Sequence, residues 1–352
     1  MPMIGNAQLK LLEKLCNACA VSGDEGEVRK IVLEELKGHA GNVSVDGLGN
    51  VLVTCLGSGK DLTKVMLSAH MDEVGFMLVA DEGEGLFHFE TIGSIDIRQL
   101  PGKAVLIGKD HLPGVIGARP IHMTTSEERK QKIPLDALRI DIGPGGGKAK
   151  PGDRAAFATR FQHNGPALIA KALDNRFGVV TLIEIIKNAP VNIDLLVAFT
   201  VQEENGLRGA KVAAYTFNPD LAIVVDATPA NDLPSWEDDE NIFYNTKLGL
   251  GPAIYIADGG TLSDPRLVRH LSETAQAEGI PFQLRQPGGG GTDAGSIHMT
   301  RSGVPCVSVS VPHRHSHTVA SIARVDDWKN TLKLLHAALS RITPELLTSD
   351  RA

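Results

Sequence analysis

The sequence predicts an α/β domain built from both ends of the chain, with a small all-β module inserted after His70. Three observations carry this. Short apolar runs of buried-strand length, Lys64 to His70, Asp194 to Val201 and Leu221 to Val225, alternate with helix-like patterns. From about Val74 to Thr159 only short apolar runs cut by turns are legible, dense in glycine (Gly145-Gly146-Gly147), as in a barrel or sandwich. After Gly165 the α/β alternation returns.

Taken in order, Asn6 to Ala20 reads as a helix. Val21 to Glu25 is a turn from which Ser22 or Asp24 can cap the next helix, Glu25 to Leu36. Val43 to Val45 and Asn50 to Leu56 read as strands around Asp46-Gly47. Inside the inserted module the runs are Gly75 to Ala80, Leu86 to Thr91, Ala104 to Ile107, Gly114 to Ala118, Leu138 to Ile142 and Arg154 to Thr159. Such short strands are expected to leave unpaired edges, which invite association. Glu127 to Lys132 is a charged, solvent-facing stretch. Asp174 to Asn188 is a helix that must stop before Pro190. Gly206 to Tyr215 is helical, Lys247 to Ile256 a strand candidate, and Asp264 to Gly279 a helix with Asp264 as N-cap. Phe282 to Arg285 and Cys306 to Val311 are strands, and Asp326 to Ser340 closes the chain as a helix.

Composition bounds the function. A chain of 352 residues with 42% hydrophobic and 22% charged residues can bury a sizeable core. A net charge of -7 argues against a nucleic-acid partner and an anionic membrane surface. No apolar run approaches membrane-span length. Met1 to Ala20 reads as an amphipathic helix and not as a signal sequence. The four scattered cysteines suit a reducing cytoplasm. Cys16 and Cys19 form an isolated C-x-x-C within a helical pattern, read as ordinary packing and not as a redox or zinc motif.

Acidic and imidazole residues gather at or beyond element ends: His70, Asp174, Glu203, Glu204, Asp226 and His317. In open α/β sheets, chemistry collects beyond the carboxyl ends of strands. Glu203 and Glu204 sit at the carboxyl end of a strand, just before a helix, and successive strand side chains point opposite ways, so one could hold a metal while the other handles protons. An isolated Glu-Glu is otherwise a solvated pair. Imidazole with carboxylates and no cysteine suits a catalytic divalent site.

Five runs in this order resemble the tetrahedral (TET-type) metallo-aminopeptidases with two cocatalytic metals, a family that includes glutamyl and deblocking aminopeptidases. They are H-M-D-E-V-G-F from His70, K-A-L-D-N-R-F-G from Lys171, V-Q-E-E-N-G-L-R-G-A from Val201, V-V-D-A-T from Val224 and P-H-R-H-S-H from Pro312. V-S-G-D-E-G-E-V-R from Val21, I-H-M-T-T-S-E-E-R-K from Ile121, L-R-I-D-I-G from Leu138 and G-G-T-D-A from Gly290 resemble it too. The resemblance implies a mixed-sheet α/β metallo-exopeptidase domain, residues 1–72 plus 162–352, and an inserted barrel-like assembly domain, residues 73–161.

It further implies two divalent metals per subunit, zinc first, with cobalt or manganese as alternatives. Asp174 would bridge them. His70 and Asp226 would complete one site, and Glu204 and His317 the other. Glu203 would be the general base. Asp72 would orient His70 through its second nitrogen, although an aspartate there also suits a turn cap. The family's P-x-R-Y-x-H has His315 in the tyrosine position here, so His313 and His315 compete with His317. Asn205 replaces the small apolar residue common after the glutamate pair. Thr292 and Asp293 line the substrate pocket or simply form a tight turn. The implied activity is removal of the N-terminal residue from peptides with a free amine, in a cytoplasmic dodecamer built from dimers. Rival readings are a dipeptidase, carboxypeptidase or deacylase using the same site, a glycosidase, and a non-catalytic scaffold held by metal.

Overall fold

A computed structural model describes residues 2–39, 41–145, 147–234, 245–286 and 289–348. Met1 and Gly146, which figure in the readings above, lie outside them. The chain starts with helices α1 (Asn6–Asn17) and α2 (Gly26–Glu35), then strands β1 (Asn42–Val45), β2 (Val51–Cys55) and β3 (Lys64–His70). Six strands follow: β4 (Gly75–Asp81), β5 (Leu86–Ile92), β6 (Ala104–Ile107), β7 (Leu112–Gly117), β8 (Arg139–Asp141) and β9 (Arg154–Phe157). They close into a barrel in the order β4-β5-β8-β7-β6-β9. Closure overturns the expectation of exposed strand edges in this module, because a closed sheet has none. Its interior is apolar. Phe76 packs edge-on against Phe89 and Phe157, with ring centres 5.3 and 5.2 Å apart.

The chain then returns through β10 (Gln162–Asn164), β11 (Ala167–Ala170), α3 (Leu173–Lys187), β12 (Asp194–Thr200), α4 (Arg208–Phe217), β13 (Leu221–Pro229) and β14 (Ala253–Tyr255). It ends with α5 (Pro265–Ala277), β15 (Gln283–Arg285), α6 (Ala294–Ile297), β16 (Cys306–Arg314), β17 (Ser321–Arg324) and α7 (Val325–Leu339). Eleven described strands form one mixed sheet in the order β1-β2-β12-β3-β13-β16-β17-β11-β10, with β14 on β16 and β15 on β14. Its centre, β12-β3-β13-β16, is parallel, and these strands are buried nearly throughout, as continuous apolar runs require.

Helix α3 is apolar around most of its circumference and buried from Asn175 to Ile186, so it packs both on the sheet and beneath other helices. Phe177 meets Trp328 of α7 with ring centres 5.3 Å apart, and Trp328 Nε1 donates to Thr181 Oγ1 at 3.0 Å. Gly178 is required for this packing. A Cβ there would stand 2.4 Å from Asn175 Oδ1 and 2.7 Å from the Val225 carbonyl. Asp264 caps α5 as expected, accepting from the Arg266 N–H at 3.0 Å.

Several expectations are corrected. Neither Ser22 nor Asp24 caps α2. Ser22 Oγ donates to Asp72 and Asp24 pairs with Lys109, so both are spent on tertiary contacts. The strand expected over Lys247 to Ile256 is confined to Ala253–Tyr255, because Gly249 and Gly251 take positive φ and turn the chain. Strand β13 runs on to Pro229, so Asp226 sits within it and not beyond it. Strands β10, β11 and β17 and helix α6 had no sequence signal strong enough to be read.

Candidate metal centre

The cluster forms where β3, β12, β13 and β16 end and α3 begins. His70 is the last residue of β3, and Asp226 lies in the neighbouring β13. Helix α3 starts irregularly. Asp174 and Asn175 have non-helical backbone angles and are joined by a cis peptide bond, and Asn175 is tied down by donating to the Val225 carbonyl at 2.7 Å. Asp174 thus points across the strand ends. Its Oδ1 lies 3.1 Å from His70 Nε2, which is also 3.5 Å from Asp226 Oδ1. Its Oδ2 lies 3.7 Å from His317 Nε2, which is 3.3 Å from Glu204 Oε2.

Glu203 and Glu204 do not extend the strand. Strand β12 stops at Thr200, Gln202 takes a positive φ, and the pair sits in the turn before α4. The expected alternation of side chains therefore does not apply, and both carboxylates line one cavity of about 590 Å³ with His70, Asp174, Asp226 and His317. Asp72 holds this turn. Its Oδ1 accepts from the Glu203 N–H at 3.0 Å and its Oδ2 from the Glu204 N–H at 3.1 Å. The expected contact with His70 is made mainly by the Asp72 main chain. His70 Nδ1 is 3.2 Å from the Asp72 carbonyl and 3.5 Å from its carboxylate.

His317 is brought to the cluster, while His313 and His315 are not. His313 is fully buried with Nε2 against Ser316 Oγ, and His315 is exposed. His317 Nδ1 lies 3.0 Å from the carbonyl of Ser94, just past β5 of the barrel. A carbonyl only accepts, so Nδ1 of both His70 and His317 carries the proton, and each ring turns Nε2 into the cluster. Thr292 and Asp293 are not cavity-lining. Both are 1% exposed. Asp293 accepts from Ser68 and Thr200 hydroxyls at 2.7 and 2.6 Å, and Thr292 pairs with Ser308 at 2.8 Å.

The electrostatics are those of crowded acids. Burial, reinforced by Asp226 and Glu204, pushes the Glu203 carboxyl well above its ordinary range. Burial and the Asp174 charge raise Glu204 to about 8 and Asp226 to about 7. For His317, burial opposes the charge, yet Asp174 and Glu204 raise it to about 9. Burial likewise opposes charge on Asp174, but the two histidines hold it well below the usual range. Four carboxylates facing two imidazoles call for cations. Among the described residues three groups have donor atoms close enough to hold one: His70 with Asp174 and Asp226, Asp174 with Glu204 and His317, and His70 with Glu203 and Glu204. Oxygen and imidazole donors of this kind fit a divalent metal.

Two supporting residues were missed as such, although both lie inside a motif quoted above. Lys171 and Arg176 flank Asp174 and both grip the buried Glu73, at 2.8 and 2.9 Å. Arg176 also donates to the Asp72 carbonyl at 3.2 Å. This locks the segment after His70 to the start of α3, so that His70, Asp72 and Asp174 share one rigid frame.

Fold and site together define an α/β protein with a metal-capable acidic centre in a cleft at the strand ends. Residues 49–334 match the model of the M42 glutamyl aminopeptidases, and the chain belongs to that family, whose members hydrolyse peptide bonds. It is 31% identical over 345 residues to the glutamyl aminopeptidase of Lactococcus lactis subsp. cremoris, covering 93% of this chain and 94% of the relative. To the lysyl aminopeptidase of Pyrococcus furiosus it is 30% identical over 348 residues, covering 95% and 97%. An aminopeptidase structure from the archaeon Desulfurococcus kamchatkensis superimposes with a TM-score of 0.90 at 33% identity, covering 97% of this chain and 96% of that one. A Pyrococcus horikoshii TET peptidase, described as able to assemble into a tetrahedron or a large octahedral shell, gives 0.83 at 32% identity, covering 95% and 100%. No described helix is long and apolar enough to cross a membrane.

Proposed function

We propose that the chain is an aminopeptidase that removes the N-terminal residue of short peptides, using two divalent metal ions and Glu203 as general base. The observation that carries this is Asp174, which turns one oxygen to each of two histidine-carboxylate groups. In this reading Asp174 with His70 and Asp226 would hold one ion, and Asp174 with Glu204 and His317 would hold the other. Zinc is the first candidate and cobalt or manganese the alternatives. When bound, such a pair polarises the scissile carbonyl and makes a water acidic enough to attack near neutral pH.

The chain's own residues do the rest. Glu203 faces the same cavity and makes no hydrogen bond to a described residue through its carboxylate. It accepts the proton of the attacking water and delivers it to the leaving amine. Its burial raises its proton affinity, which suits a group that must hold a proton between the two steps. Asp72 fixes the Glu203-Glu204 turn, and Ser94 fixes the His317 ring.

We divide the chain into a catalytic domain, residues 1–72 plus 162–352, and an assembly domain, residues 73–161. The barrel's 119–134 segment presents Ile121 and Met123 at 72% and 64% exposure, apolar surface that suits a partner copy. With the assembling P. horikoshii relative, this supports dimers that build a dodecamer. Four free cysteines suit the cytoplasm.

The test is a panel of aminoacyl chromogenic amides with zinc, cobalt and manganese in turn, alongside N-acetylated versions and a chelated control. Free amines should be cleaved, acetylated ones far more slowly, and chelation should abolish both. Equal rates on acetylated substrates would shift the reading to a deacylase or endopeptidase. Undiminished activity after chelation would remove the metal.

A further inference from the structure

Ser22 and Glu25 lie in the loop between α1 and α2, each 3% exposed. Glu25 stands at the N-cap position of α2 but makes no side-chain cap bond to that helix. Its carboxylate is spent elsewhere. Oε1 accepts the Gly23 N–H at 2.6 Å and, across the fold, the Gln202 N–H at 3.3 Å. Ser22 Oγ donates to Asp72 Oδ2 at 2.5 Å, and Asp72 accepts the N–H groups of Glu203 and Glu204. Three consecutive main-chain N–H groups, those of Gln202, Glu203 and Glu204, are therefore taken by two carboxylates from distant parts of the chain. The turn needs such support. Gln202 has a φ of 54°, a left-handed conformation that a residue other than glycine keeps only where its surroundings impose it.

The loop that gives this support is itself fixed. The Ala20 N–H donates to the Glu73 carboxylate at 3.0 Å, and the Glu73 N–H donates to the Ala20 carbonyl at 3.0 Å. Arg154 of the barrel donates through Nε to the Ser22 carbonyl at 3.2 Å.

We propose that Glu25 and Ser22 are positioning residues, which hold the turn at residues 202–204 so that both glutamate carboxylates face the cleft. Glu25 acts directly on the Gln202 N–H, and Ser22 acts through Asp72. That the turn matters for turnover rests on the aminopeptidase reading; that these two residues hold it does not.

Hydrogen exchange followed by mass spectrometry on the chelated protein reads the turn without any catalysis. In Glu25→Ala and in Ser22→Ala the peptide spanning residues 201–207 should exchange about tenfold faster, the size of one hydrogen bond to a charged group. Peptides from α2 should keep their rate, because Glu25 does not cap that helix through its side chain. Glu25→Gln should exchange like the unmodified protein, since one oxygen accepts both N–H groups and an amide oxygen can do the same. Turnover of an aminoacyl p-nitroanilide by the metal-loaded protein gives the second reading. In Glu25→Ala kcat should fall about tenfold with KM little changed, and Glu25→Gln should recover most of the loss.

Unchanged exchange of the 201–207 peptide in either alanine variant overturns the role of that residue. A rise of equal size in the α2 peptides would make both residues general supports of the fold and overturn the proposal. If Glu25→Gln behaves as Glu25→Ala does, the charge and not the acceptor oxygen is what counts, and the assignment falls. Faster exchange with an unchanged kcat overturns the positioning role and leaves the aminopeptidase reading standing. If the unmodified protein cleaves no aminoacyl amide, that reading fails, and the exchange rates alone decide whether Glu25 and Ser22 hold the turn.

Discussion

Asp72 Oδ1 accepts the backbone N–H of Glu203 at 3.0 Å. The main chain of Glu203 is thereby anchored while its carboxylate faces the cavity and makes no hydrogen bond to a described residue. Glu203→Gln should leave that anchor and the two metal-capable groups that contain Asp174 intact. Turnover should fall by about 10²–10⁴-fold, the usual contribution of a general base, with metal content unchanged by elemental analysis. Near-normal turnover would show that the two glutamates have been given the wrong roles.

Asp174 faces His70 with one oxygen and His317 with the other. Asp174→Asn should therefore weaken both metal equivalents together, because one amide oxygen cannot serve two cations as a carboxylate does. Metal content after dialysis measures it. Loss of a single equivalent would make Asp174 a terminal ligand.

The crowded acids set a pH dependence for the metal-free protein. Glu204 rises from 4.5 to about 8 and Asp226 from 3.8 to about 7. His317 rises from 6.5 to about 9. All three hold protons in the folded chain that the unfolded chain has released, so their stabilisation is complete at low pH and is lost as pH rises through those values. Asp174, shifted down, loses its contribution only toward acid pH, outside that window. The melting temperature of the chelated protein should fall between about pH 6 and 9, and added metal should flatten the profile. A chelated protein that becomes more stable over this range would contradict the assignment.

Assembly is read by light scattering coupled to gel filtration, with and without chelator. With metal the mass should be that of a dodecamer, and chelation should release dimers, since the proposed ligands come from β3, α3, β13 and the turns after β12 and β16, and metal would tie these elements together. A monomer of 37.5 kDa in excess metal would refute assembly without touching the catalytic reading.

The sequence alone determined the α/β frame and the placement of an all-β unit within it. Buried parallel strands must be apolar along their length, and Lys64 to His70 announces itself for that reason. It also marked His70, Asp174, Glu203, Glu204, Asp226 and His317 as one candidate set, because polar residues at the ends of such runs stand out. Tertiary structure alone decided what these residues do to one another. Barrel closure is a long-range pairing of β4 with β9 that no local pattern encodes. The turn at Gln202 swings both glutamates to one side. His317 is separated from His313 and His315 by where the Ser94 carbonyl happens to lie, across the boundary with the barrel. Thr292 and Asp293 look like pocket residues in a glycine-rich turn, but packing buries them against Ser68, Thr200 and Ser308.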